Sequence, residues 1–241
     1  MVKRIPLRKP RGRLYRLAAL VIRSVLHLTT RKDWHGMNDM PAEGGFIAVS
    51  NHVTYADPLT FAHFLYNSGY APHYLAKSPL FELPLIGMIL RKTDQIPVHR
   101  GSVRARDAVD SGLKVLDSGG VIAMFPEGTL TRDPDLWPMV ARTGAARMAL
   151  MTGVPVIPVA QWGAHRLLGR YSKVIKPFPR KKITVKAGPP IELDDLRAGP
   201  LDNDALREAS TRIMQTLTAM VEEMRGEKAP EVRFDMRKKS S

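Results

Sequence analysis

The sequence predicts an α/β fold: a mostly parallel or mixed sheet wrapped by helices, with an N-terminal amphipathic membrane-docking helix. Three observations carry this. Short apolar runs of strand length alternate with helix-period segments through the middle of the chain. The chain has 241 residues, 44% of them hydrophobic, enough for one domain to bury a core without staples. The formal charge of +14 is unevenly placed: residues 1–32 carry ten Lys and Arg and no acid, whereas residues 33–224 carry 21 basic and 20 acidic residues. This divides the chain into a basic arm (1–32), a nearly neutral body (33–225) and a basic tail (226–241).

Each element has its own signal. In residues 11–28, Leu14, Leu17, Val21, Val25 and Leu28 recur at helical spacing, with Arg13, Arg16 and Arg23 largely off that stripe. The apolar run 17–22 is cut by Arg23 and no small-residue cleavage site follows, so the arm reads neither as a secretory leader nor as a span of about 20 apolar residues. A basic helix with an apolar face is the pattern of an interfacial anchor, where each Lys or Arg contributes roughly 1 kcal/mol at an anionic leaflet. A helix docked on the core gives the same pattern, and one helix can do both.

Residues 46–50 (FIAVS) follow a turn-like stretch and read as a buried strand. Residues 58–68 and 84–91 read as helices, and 73–76 and 95–98 as short strands. Residues 103–118 form an amphipathic helix with Val109, Leu113 and Leu116 inward, closed by Gly119 and Gly120. A strand at 121–125 breaks at Pro126, and a helix at 144–152 stops at Gly153. The run 154–161 is a strand that Pro155 and Pro158 assign to an edge or a bulge. Residues 183–187 (ITVKA) alternate as an edge-type strand, and 202–225 form a long amphipathic helix capped by Asp202.

The chain has no Cys, which excludes a disulfide framework, a thiolate metal site and a cysteine nucleophile. His52 follows the FIAVS strand, where α/β folds tend to place their sites. Five residues on an ideal helix would separate His52 from Asp57 by about 140°, so the two meet only across a turn. Pro58 supports one, with Asp57 as N-cap and Pro58 as first helical residue. A carboxylate there holds one imidazole nitrogen and leaves the other as a base. A structural histidine beside a capping aspartate satisfies the same spacing. The turn Pro126, Glu127, Gly128, Thr129 gathers a carboxylate, a glycine N–H and a hydroxyl at a strand end, fit for a polyol or a phosphate, or for an ordinary glycine turn. Arg100, before a helix, suits either an anion or a surface ion pair. Residues 166–186 hold eight basic residues and no acid, as a solvated rim or a face for phosphates of lipid or of a soluble donor.

Taken together, these segments resemble the glycerophospholipid acyltransferases. Residues 51–58 (NHVTYADP) resemble the family's NHxxxxD signature, and Phe125 to Thr129 its FPEGT motif. Arg100 and Gly101 match the arginine motif between them, and 154–158 (VPVIP) the apolar-proline motif after them. The order is right and the resemblance covers residues 34–190, most like the bacterial 1-acyl-glycerol-3-phosphate (lysophosphatidate) acyltransferases. It implies an acyl-thioester donor, acyl-CoA or acyl carrier protein, a lysophosphatidate acceptor, and peripheral attachment to the cytoplasmic face of the cell membrane. It also implies His52 and Asp57 as the catalytic pair without an acyl-enzyme. Arg100 binds the acceptor phosphate with Lys77 and Arg132 as helpers, and Glu127, Gly128 and Thr129 orient the glycerol. No metal and no cofactor enters this chemistry. One departure stands out: many relatives have Arg directly after FPEGT, and this chain has Leu130, with Arg132 two residues on. Glycerol-3-phosphate, another lysophospholipid or a glycolipid is the alternative acceptor. A basic membrane- or nucleic-acid-binding protein without activity rests on the pI of about 10.2 alone, with no zinc finger, helix-turn-helix or aromatic-basic sheet motif to support nucleic acid.

Overall fold

The structure is a computed structural model that describes residues 12–38, 40–99 and 105–239, with side chains described for all of these but 105, 106, 238 and 239. Its strands are β1 (Thr30–His35), β2 (Phe46–Val49), β3 (Pro72–Lys77), β4 (Ile96–Val98), β5 (Val121–Met124), β6 (Val156–Trp162) and β7 (Lys181–Ala187). They form one sheet in the order β1-β7-β6-β2-β5-β3-β4. Every neighbouring pair is parallel except β6 with β7. Helices α1 (Arg13–Thr29), α2 (Asp57–Asn67), α3 (Pro84–Lys92), α4 (Ala105–Asp117), α5 (Gly144–Thr152), α6 (Asp194–Arg197) and α7 (Asn203–Arg225) surround it.

The central strands read as unbroken apolar runs because both of their faces are covered. Ile47, Val49, Ile122 and Val156 pack with Leu116, Met148, Leu206, Ile213 and Leu217 on the α4, α5 and α7 side. Phe46, Ala48, Ala123, Ile157 and Val185 pack with Phe61, Phe64 and Leu65 of α2 on the other. Asp202 caps α7 by accepting from the N–H groups of Asp204 and Ala205. The tail after α7 turns back onto the body: Glu222 accepts from the N–H of Ala229, and Val140 N–H donates to the carbonyl of Phe234.

Three sequence expectations change. The boundary at residue 32 falls inside β1, a polar strand (TRKDWH) with no apolar alternation to announce it. Because β1 pairs with β7 along its length, β7 is not an edge strand; the charged β1 is, which suits a strand open to water. Nor is β6 an edge strand, since it lies between β2 and β7. Pro155 precedes it, and Pro158 sits where the β7 ladder begins, accepting from Gly188 N–H one residue before the first paired residue, Val159. The missing proline donors therefore fall at the ends of the ladders, and the pairs from Val159 to Trp162 with β7 are untouched.

The arm helix α1 has two apolar faces. Tyr15 and Leu26 are buried, and Ala18, Ala19 and Ile22 line an internal cavity. Leu17, Leu20, Val21, Val25 and Leu28 point outward and are more than half exposed, so most of the stripe seen in the sequence is the outer one. Among the described residues no helix is long and apolar enough to cross a membrane.

His63 on α2 is buried edge-on to Trp34, with ring centroids 4.9 Å apart, and its Nε2 has no hydrogen-bond partner. Burial, reinforced by the positive charge of Lys32, Arg23 and His27, holds its pKa down at about 4. An unfolded chain protonates this histidine below its ordinary value of about 6.5, so the stability it contributes is complete above that pH and is lost as pH falls through about 4. Urea denaturation of the wild type and His63→Phe from pH 7 to 4 should show a loss on the order of 3 kcal/mol that only the wild type suffers.

Candidate active site

Three strand ends meet where the sheet's parallel strands finish. β2 runs into Asn51 and His52, β5 into the turn 125–129, and β6 into Gln161 and Trp162. The backbone between His52 and Asp57 folds into a turn closed by Asp57 N–H donating to Thr54 O at 3.1 Å. This turn brings His52 Nδ1 to 3.1 Å from Asp57 Oδ2. The same oxygen accepts from the N–H groups of Val53 and Thr54, at 2.5 and 2.7 Å. Asp57 thus serves the turn before its helix. The helix begins one residue earlier than expected, with Ala56 as N-cap, so Asp57 is the first helical residue and Pro58 the second. Since Asp57 is an acceptor, Nδ1 carries the proton and Nε2 presents its lone pair.

The imidazole lies flat on Phe125, with centroids 4.0 Å apart and planes 20° apart, and Phe125 in turn stacks on Tyr74. His52 keeps 14% of its side chain exposed, while Asp57 is buried. A tightly packed ring therefore keeps a small part of its surface open.

Glu127 differs from its expected place. It is 0% exposed, and its two oxygens accept from the backbone N–H groups of His52 and Met139, at 2.9 and 3.1 Å. Burial pushes its pKa up to about 8 against the pull of those two donors. With no atom at the surface it does not face a glycerol here; it ties the turn after β5 to the turn after β2. Gly128 has φ of 72°, a left-handed conformation that favours glycine, and its N–H donates to Phe125 O rather than pointing outward. Thr129 is half-buried beside it, Leu130 is buried, and Arg132 is exposed. Lys77 is exposed at the end of β3. Arg100 lies outside the described residues.

Sequence reasoning missed Gln161. It is buried at the end of β6, and its Nε2 reaches Ser50 Oγ at 3.2 Å, with the carbonyls of Asn51 and Asp57 each at 3.5 Å. Its Oε1 accepts from Thr60 Oγ1 at 2.6 Å. Asn51 exchanges two bonds with the Gln161 backbone, at 3.0 and 2.9 Å. A lone polar residue in an otherwise apolar strand was the available signal.

An apolar cavity of about 200 Å³ opens between α1, α2 and α3. Pro58 and Leu59, directly after Asp57, begin its wall, and Ala18, Ile22, Ile89 and Leu90 continue it. Of the apolar stretch 80–90, Ile89 and Leu90 reach it.

Above about pH 8, where both Glu127 oxygens are free acceptors, Glu127→Gln keeps the shape but supplies one acceptor for two N–H donors. It should cost about 1–3 kcal/mol, read as a lower urea midpoint with faster amide exchange at His52 or Met139.

A family profile described as "Acyltransferase" matches residues 31–162. The 1-acyl-sn-glycerol-3-phosphate acyltransferase of Borreliella burgdorferi is 32% identical over 54% of this chain and 50% of its own length. That of Bacillus subtilis is 27% identical over 62% of this chain and 72% of its own. The chain thus matches half of the first relative's length and about three quarters of the second's. The crystal structure of the 1-acyl-sn-glycerophosphate acyltransferase PlsC from Thermotoga maritima superposes with a TM-score of 0.62 over 90% of this chain and 83% of that one, at 22% identity, and so shares the fold. The profile spans more than half of the chain and includes both the His52–Asp57 turn and the turn after β5, and the chain belongs to the acyltransferase family.

Proposed function

We infer that this protein moves a fatty acyl group from an acyl thioester, acyl-CoA or acyl carrier protein, to the free hydroxyl of 1-acyl-glycerol-3-phosphate, giving phosphatidic acid. The observation that carries the reading is the buried Asp57 carboxylate on Nδ1 of a partly exposed His52, with Pro58 and Leu59, next in sequence to Asp57, in the wall of an apolar cavity. Two relatives bear the name of that activity.

His52 Nε2 takes the proton of the acceptor hydroxyl as its oxygen attacks the thioester carbonyl. Asp57 holds the ring and stabilises the imidazolium, and the Phe125 face beneath it adds a cation–π contribution. As the tetrahedral intermediate collapses, the sulfur leaves and receives the proton from Nε2. With no Cys in the chain, no acyl group passes through an enzyme thiol. The apolar cavity takes an acyl chain, each buried methylene contributing about 0.8 kcal/mol. Arg100 receives the acceptor phosphate, with Lys77 and Arg132 as further cations and Thr129 toward the glycerol. Glu127 and Gly128 act by shaping the turn that holds His52. The arm helix docks on an anionic bilayer through Leu17, Leu20, Val21, Val25 and Leu28, which places the enzyme peripherally on the membrane that holds acceptor and product. By this reading 33–225, together with the first residues of β1, is the catalytic body between a docking arm and a basic tail.

The deciding assay offers lysophosphatidate, glycerol-3-phosphate and a lysophospholipid in turn, with acyl-CoA of graded length and with acyl carrier protein. Transfer to lysophosphatidate should dominate, and dominance of another acceptor would reassign the substrate. His52→Ala should lose at least about 1,000-fold in kcat while circular dichroism stays unchanged; near-normal transfer by the folded variant would refute the mechanism. Arg100→Ala should raise the KM for the acceptor far more than that for the donor.

A further inference from the structure

The basic stretch after β6 is not fully used by the site. Its loop, residues 169–180, is built rather than loose: Lys176 N–H donates to Leu167 O at 2.8 Å, Ser172 N–H to Gly169 O at 2.9 Å, and Leu168 bridges Ile175. Yet Tyr171, Val174, Ile175 and Phe178 are 55%, 65%, 61% and 72% exposed. An ordered loop that turns four large apolar side chains to the outside marks an interaction surface. Lys173 and Lys176 alternate with them, exposed and with no carboxylate partner among the described residues. The base of the loop touches the active site. Thr54 Oγ1, between His52 and Asp57, donates to Leu168 O, and Arg170 donates to the carbonyls of Thr131 and Asp133. Its far end is tied to the arm, because Arg180 Nη2 donates to His27 O at 2.7 Å and to Thr30 O at 2.6 Å at the end of α1.

We propose that loop 169–180 is a second bilayer-contacting element, seated in an anionic leaflet beside α1. The inference rests on the reading that α1 docks on lipid, and it adds a contact on the other side of the catalytic turn. Lysine interleaved with exposed apolar side chains matches a headgroup region over acyl chains: the ammonium groups meet lipid phosphates while Val174, Ile175 and Phe178 enter the boundary below. A soluble phosphate would leave those apolar groups in water. The bonds from Arg180 tie the end of the loop to the C-terminal end of α1, where Leu28 is exposed, which a solitary protein-docking patch does not require. Engaged from both sides, the site would open at the leaflet surface, where a two-tailed product departs.

The absence of Cys makes the test clean, since any introduced thiol is the only one. Full-length Phe178→Cys, Leu20→Cys and Asp204→Cys are each labelled with an environment-sensitive fluorophore. Each is mixed with phosphatidylcholine vesicles, with and without phosphatidylglycerol, and separately with acyl carrier protein. The probe at 178 should shift to the blue and brighten several-fold with anionic vesicles, as should that at 20, while the one at 204 on α7 stays water-like. A shift at 20 without one at 178 overturns the loop proposal and leaves the α1 reading standing; no shift at either overturns both. A shift at 178 with carrier protein but not with vesicles makes the loop a protein-docking site and overturns it too. The doubly charged Val174→Asp, Ile175→Asp variant should reduce vesicle partitioning about tenfold, and unchanged partitioning counts against the proposal. None of these readouts needs turnover, so a failed acyl-transfer assay leaves them intact.

Discussion

The backbone of His52 is held on both sides by the turn after β5. Its N–H donates to the buried Glu127 carboxylate, and its carbonyl accepts from Thr131 N–H at 2.6 Å. Two neighbouring parallel strands, β2 and β5, thereby end in a single hydrogen-bonded unit. The imidazole then has few freedoms left: Phe125 closes one face and Asp57 takes Nδ1. Keeping an ionisable Glu127 wholly inside the protein is costly, as its raised pKa records. The return is geometric, because one side chain satisfies two backbone donors that would otherwise be buried and unpaired.

A second set of polar contacts fixes the third strand. Gln161 links Ser50, Asn51, Asp57 and Thr60, while Asn51 grips the backbone of Gln161. These residues are buried and lie beyond β2, at the end of β6 and in the first turn of α2. Their bonds connect β6 to the start of α2, so the residue that orients His52 is held from below as well as from its own turn. A fully satisfied network of this kind favours one arrangement over its neighbours, since any slip exposes several polar groups to an apolar surround.

On one side of this rigid centre the molecule is apolar and outward-facing. α1 covers the cavity with one face and presents aliphatic side chains with the other. Leu85, Ile86 and Met88 of α3, packed against α1, are exposed as well. A helix apolar on both faces is unusual for a protein surrounded by water. It is reasonable for one that sits with one face on its own core and the other at a lipid boundary.

The sequence alone determined the fold class, most of the elements and the His52–Asp57 pairing, because these follow from local patterns: apolar period, glycine and proline positions, and a proline that forces a turn after the histidine. It misplaced what depends on neighbours. β1 went unseen because a charged strand is held by its pairing with β7 and not by its own composition. Pro155 and Pro158 suggested an edge or a bulge, yet only the register shows that their missing donors fall at the ends of the ladders. The residues 125–129 stood out in the chain as a polar turn, but whether Glu127 looks outward or inward is decided by two N–H groups, one of which belongs to His52, 75 residues earlier in the turn after β2. Gln161 showed in the sequence only as a lone polar residue in an apolar strand, since its role exists only where β6 meets the end of β2 and the start of α2. Local chemistry determines which groups are present; packing decides which of them face the substrate and which hold the others in place.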